Sequence, residues 1–195
     1  MLAAAASIAA LAGAAAAKPQ AYAFDKTHTT IRASWNHWGY SRQSLDFTKY
    51  DGTLLLDFDK PKKSKVEVIF SPADGFWAGA PDSDRFEKHL SSPDFFDIAK
   101  FPAATFKATS FDTADGVAGT MTGDLTIKDQ THPVTLNVKL NQKGEVGGKA
   151  RAGFSATTTI DRTLWGMGYG APGIPAEIDI TIETELVGPE MKAKQ

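Results

Sequence analysis

The sequence predicts an all-β domain of antiparallel strands, a barrel or a sandwich. Three observations carry this: short runs in which apolar and polar residues alternate, turn chemistry between those runs, and a single short stretch of helical character. Strands at this spacing with antiparallel neighbours close into barrels or stack as sandwiches, both of which protect their edges.

The runs follow one another along the chain. Thr29, Ile31, Ala33, Trp35 and His37 share one parity, while Thr30, Arg32, Ser34 and Asn36 take the other. That is a strand with one mainly apolar face. Residues 54–58, 66–70, 103–108, 117–127, 134–140, 150–160 and 176–186 read as further strands. Between them, residues 59–63, 112–116, 128–133 and 141–144 carry the Asp, Asn, Gly and Pro of turns. One helix interrupts the pattern. Pro81, Asp82 and Ser83 supply its start, Phe86 and Leu90 stand at i and i+4 to face a sheet, and Ser91-Ser92-Pro93 stops it. Phe95, Phe96, Ile98 and Phe101 then make a dense apolar turn, which on a barrel would cover an open end or plug a side.

Composition narrows the class of protein. The chain has 195 residues, a formal charge of −2 and no cysteine, so neither disulfides nor thiol chemistry contribute. The near-neutral balance carries no basic signature and argues against nucleic acid as a partner. Residues 1–17 are uncharged and end in Ala15-Ala16-Ala17 before Lys18, which reads as the apolar region and cleavage site of a signal peptide. A second Ala-x-Ala at Ala21-Tyr22-Ala23 spreads the cut over 17 to 23. The leader is too short to span a bilayer, and no other stretch is apolar enough to do so. The rest suits one exported domain.

Candidate chemistry is sparse. His28, His37, His89 and His132 are scattered, with no His-x-x-x-His or similar spacing that would hold a metal. Ser155 lies in an ordinary strand run without a nucleophile elbow. Gly166 to Gly173 fails as a phosphate loop, because a strand beginning near Ala176 follows where a helix is required. Asp57 and Asp59 read as a solvated rim, and His132, before Pro133, as an exposed turn residue. His89 is placed to brace the Phe95-Phe96 turn, and Asp161 and Arg162 to anchor the Gly-rich loop. No catalytic residue, no metal and no cofactor is expected.

The aromatics are the remaining asset. Trp35, Phe70, Phe106, Phe154 and Trp165 fall on or beside strands, on the parity of aliphatic neighbours. Ala33 accompanies Trp35, Ala104 and Ala108 flank Phe106, and Ala152 and Ala156 flank Phe154. A mixture of large and small inward residues leaves a narrow apolar tube in some barrels and fills others solid, and the residues alone leave both open.

Residues 89–106 have the form His-Leu-x-Ser-x-Asp-Phe-Phe-Asp-x-x-x-Phe-Pro-x-x-x-Phe. That block resembles the signature of the YceI family, lipocalin-like periplasmic proteins thought to bind polyisoprenoids or related long-chain amphiphiles. Residues 161–168 resemble the family's second signature, Asp-Arg-x-x-aromatic-Gly-Met-Gly, with Trp165 at a position usually Phe. The resemblance runs over roughly residues 22–187 and leaves 188–195 as a tail. It implies an eight-stranded antiparallel lipocalin-like barrel, with one short helix and an aromatic turn between strands. It also implies a periplasmic location and a hollow interior that takes a polyisoprenoid or fatty-acyl chain. Trp35, Phe70, Phe106, Phe154 and Trp165 would then line the tube, and His37 would meet a polar head. The family is often dimeric, so a homodimer is an expectation too. The alternatives are a filled barrel acting through its surface, as an envelope interaction or stress-related protein, or a lipid-processing enzyme.

Overall fold

The structure, a computed structural model, describes residues 18–191 apart from positions 74 and 81. The leader expected at 1–17 and the chain end at 192–195 lie outside the described residues.

In chain order the elements are β1 (Gln20–Phe24), β2 (Thr30–His37), β3 (Ser41–Phe47), β4 (Tyr50–Leu56), β5 (Lys65–Phe70), β6 (Phe76–Trp77), α1 (Asp84–Leu90), β7 (Ala104–Thr113), β8 (Ala118–Ile127), β9 (Gln130–Val146), β10 (Lys149–Asp161) and β11 (Glu177–Glu190). The strands β1, β4, β5, β7, β8, β9, β10 and β11 pair in that order, and β11 returns to β1, so eight antiparallel strands close a barrel. The strands β1 and β2 lie in line along β11, with Ala23 opposite Val187 and Ile31 opposite Ile182. Their partners β4 and β3 continue one another in the same way, and β6 extends the edge of β3.

This topology sorts the connections between two ends. Residues 38–40, the long segment 71–103, the turn at 128–129 and the loop 162–176 share one end, here called the helix end. Residues 57–64, 114–117 and 147–148 share the other, the hairpin end. At the helix end α1 packs inward through Leu90, which is buried, and Phe86, whose ring centroid is 5.7 Å from that of Trp35. The aromatic turn follows, with Phe96 centred 5.1 Å from Phe76 and 6.3 Å from Phe47. The expected cover over an open end is therefore present.

The strand boundaries differ from the sequence reading in instructive ways. Both β1 and β3 escaped it. The sequence of β3, Ser-Arg-Gln-Ser-Leu-Asp-Phe, is polar, and Leu45 is its one fully buried position. Residues 130–133 and 141–144, read as turns, lie within β9. Pro133 is tolerated because β9 meets β10 only from Asn137 onward, so the proline's missing N–H faces no neighbour on that side. Residues 141–145 carry no apolar alternation because this part of β9 is exposed on both faces, although Ala150 and Ala152 opposite it on β10 are buried. The chain turns instead at Gly147 and Gly148, whose φ values of 59° and 78° suit a two-residue hairpin and disfavour other residues. The strand read at 176–186 is also longer: β11 continues to Glu190, which pairs with Lys149.

Candidate functional site: the barrel interior

The eight-stranded ring encloses a cavity of about 730 Å³, a size typical of small-molecule sites. Its wall is built from the inward parity of the strands. Ile31, Ala33 and Trp35 come from β2, Leu54 and Leu56 from β4, Val66, Val68 and Phe70 from β5, and Phe154 and Ala156 from β10. The strand β11 adds Ile178, Ile180 and Ile182, and the outward residues between them are largely exposed and polar. The alternation that closes the sheet thus also makes the lining apolar.

Five of the six expected ligand residues line this cavity: Trp35, His37, Phe70, Phe106 and Phe154. Trp35 and Phe106 are buried, whereas His37 is exposed at the helix end of β2. Phe154 lies parallel to Phe58 with centroids 6.3 Å apart. Trp165 is elsewhere. Strand alternation stops at Asp161, and the 3-10 turn from Arg162 to Trp165 carries the indole into a packed region against β8 and β9. There it is 1% exposed, its Nε1 donates to the Leu125 carbonyl at 3.2 Å, and its ring meets His132 edge-on.

Other residues of the site were not read from the sequence as such. Phe86, Phe95 and Phe96 reach the cavity from α1 and the aromatic turn; their role as a cover was legible, but their access to the interior was not. Trp38 stands at a hairpin tip with φ 56°, beside Gly39, whose N–H donates to Asn36 Oδ1 at 2.6 Å. Its ring lies so close over Gly173 that a Cβ there would overlap it. Trp38 and Tyr169 both line the cavity, and both are more than half exposed.

Polar groups reach the cavity chiefly near its two ends. At the helix end Arg162 is buried, donating Nε to Pro175 O at 3.0 Å, Nη2 to Ile174 O at 2.9 Å, and Nη1 to Met167 O. Burial pushes this guanidinium down from its ordinary value, while neighbouring Asp161 raises it. Asp161 turns outward and accepts from the Thr163 N–H and hydroxyl. Both residues anchor the loop as expected. His89 bonds Asp94 at 3.0 Å, and its ring meets Phe95 and Tyr169 edge-on, so it braces the aromatic turn.

Two expectations are corrected. Asp57 is not a solvated rim residue: it is 3% exposed, and its Oδ1 accepts the N–H groups of Asp59 at 3.1 Å and Lys60 at 2.8 Å. Strand β4 ends at Leu56, so parity no longer predicts where Asp57 points. His132 is not an exposed turn residue either: it pairs with Leu125 in the sheet and lies 3.0 Å from the Leu164 carbonyl.

Ser155 lies on the outward parity, donates to Glu183 at 2.6 Å and accepts from Asn141 at 2.8 Å. Among the described residues one group, Asp25, His28 and Glu185, brings possible metal-ligand atoms within 4.8 Å of one another. Arg151 already occupies that place, with Nη1 2.7 Å from Asp25 and 3.9 Å from Glu185. No helix among the described residues is long and apolar enough to cross a membrane.

Comparison with known proteins agrees with this architecture. A UPF0312 protein of Pseudomonas putida is 36% identical over 166 residues, covering 83% of this chain and 84% of that protein. Among solved structures, BcnA of Burkholderia cenocepacia superposes with a TM-score of 0.72 at 21% identity, over 83% of this chain and 98% of that one. A polyisoprenoid binding domain from Saccharophagus degradans, implicated in plant cell wall breakdown, gives a TM-score of 0.61 at 12% identity, over 87% and 99%. Residues 22–186 match the YceI-like domain, and the chain belongs to that family.

Proposed function

We propose that this protein is an exported, periplasmic binding protein that holds one long-chain apolar or amphiphilic molecule, of polyisoprenoid or fatty-acyl type, inside its barrel. The observation that carries this reading is the 730 Å³ cavity with its almost wholly apolar wall. The polyisoprenoid binding domain of S. degradans, which shares the fold, and the apolar leader at residues 1–17 support it further. The magnitudes agree. Burying ten methylene groups at ~0.8 kcal/mol each gives roughly 8 kcal/mol, a micromolar affinity before ordering costs. Trp35, Phe70, Phe106 and Phe154 hold the chain, and Trp165 shapes the wall from behind. The protein binds without chemistry.

The test is Phe154→Asp. A carboxylate on the cavity wall opposes an apolar guest in a site that offers it no partner. The variant should keep its β-sheet circular dichroism spectrum and lose uptake of a fluorescent lipid. A folded variant with unchanged uptake would remove the barrel interior from the binding site.

A further inference from the structure

The ionisable residues that reach the cavity are sorted by end. Arg162, His37 and His89 stand at the helix end, and Asp57 and Asp112 at the hairpin end. Arg162 is the unusual member. It is 4% exposed, and its side chain is held by the carbonyls of Met167, Ile174 and Pro175 alone. No carboxylate among the described residues pairs with it, since Asp161 is turned to Thr163. Carbonyl dipoles offset part of the cost of burying a cation but do not neutralise it. A guanidinium has five N–H donors and three are used here, so two are left over on a residue that lines the cavity.

We propose that the helix end of the cavity is an anion site: the ligand is a long-chain amphiphile with a carboxylate or phosphate head, held head toward Arg162 and tail toward the hairpin end. This rests on the interior being the binding site and adds the class and direction of the ligand. An anion entering low-dielectric surroundings gains most beside the one buried cation that lacks an ionic partner. The opposite orientation would set it near the buried carboxylate of Asp57. Asp112 adds little there, because it is exposed and lies 3.7 Å from Lys62. An ammonium head meets the reverse of this field.

The experiment uses four probes with one C18 chain and different heads: carboxylate, phosphate, primary alcohol and primary amine. Each displaces neutral N-phenyl-1-naphthylamine from the wild-type protein at neutral pH. The carboxylate or the phosphate should bind about tenfold more tightly than the alcohol, and the amine most weakly. The tighter of the two anions identifies the head. Direction is read by bromine quenching, because three of the chain's four tryptophans, Trp35, Trp38 and Trp165, lie at the helix end. Bromine near the head should quench them more than bromine at the chain terminus. In Arg162→Met the anions should bind no more tightly than the alcohol measured on the same variant. Arg162→Lys should retain part of the preference. If Arg162→Met does not fold, the wild-type affinities and the quenching still decide. Equal affinities for alcohol and anions, tightest binding of the amine, or stronger quenching by terminal bromine would overturn the proposal. If no probe displaces the dye, the binding reading itself fails.

Discussion

Trp165 and Phe154 come from the same stretch of chain, β10 and the turn that leaves it, and both were expected to line a tube. Trp165 is enclosed on all sides by the Arg162–Trp165 turn, β8 and the start of β9. Phe154 stacks on Phe58, packs at its base against the cluster around Leu54, Ala152 and Leu186, and lines the cavity. The difference lies in what stands opposite. Around Phe154 eight strands form a ring whose facing walls do not meet, as barrels of this strand number leave room for one small ligand. Around Trp165 a turn folds back against the sheet and leaves the indole 1% exposed within a buried cluster. The same residue type is therefore core in one place and binding surface in the other.

Truncation measures that contrast most directly. Trp165→Ala removes a side chain packed on every face, together with its hydrogen bond to Leu125, and should cost about 3–5 kcal/mol in urea unfolding. A loss below about 1 kcal/mol would mean that the region around Trp165 is as loosely held as the tube.

A hollow wall gains less from packing, and its strand joints carry polar anchors. Between β1 and β2, Asp25 accepts from the Thr27 hydroxyl at 2.6 Å and from Arg151 of β10 at 2.7 Å, with His28 at 3.2 Å. The Thr27 hydroxyl first, then Arg151 and His28, hold its carboxyl well below the usual carboxylate range. A depressed folded value contributes stability above the unfolded value near 4, and that contribution is lost as pH falls toward the folded value. The urea midpoint should hold between neutrality and pH about 5, then fall in acid, and Asp25→Asn should flatten that fall. An identical acid profile in the variant would show that the joint does not depend on this carboxylate.

The smallest effect is expected at the wall itself. Ile182→Val trims a methyl group that faces the cavity, so few contacts are lost and no new void is enclosed. Stability should drop by less than about 1 kcal/mol, while affinity for a bulkier chain rises. A loss as large as that of a packed core residue would contradict a hollow interior.

Much of the barrel was legible in the sequence. Wherever a strand buries one face and exposes the other, as in β2 and β10, alternation named the inward residues correctly. It failed where that condition lapsed. In β3 few positions are buried, in the last part of β9 both faces are exposed, and at Asp57 and Trp165 the chain has left the strand and parity carries no information. His132 was misread because a proline signals a turn unless the strand lacks a neighbour on that side, and the neighbour belongs to β10.

By itself the sequence determined an all-β chain with alternating inward apolar residues, a short helix, an aromatic cover, and both signatures of its family. Those are local properties, set by side-chain period and turn chemistry. Only the tertiary structure decided that Phe154 lines the cavity while Trp165 is enclosed beside it, and that a guanidinium without a paired carboxylate stands at one end of the cavity. Such features depend on the distance between walls far apart in the chain, and no local pattern encodes that distance.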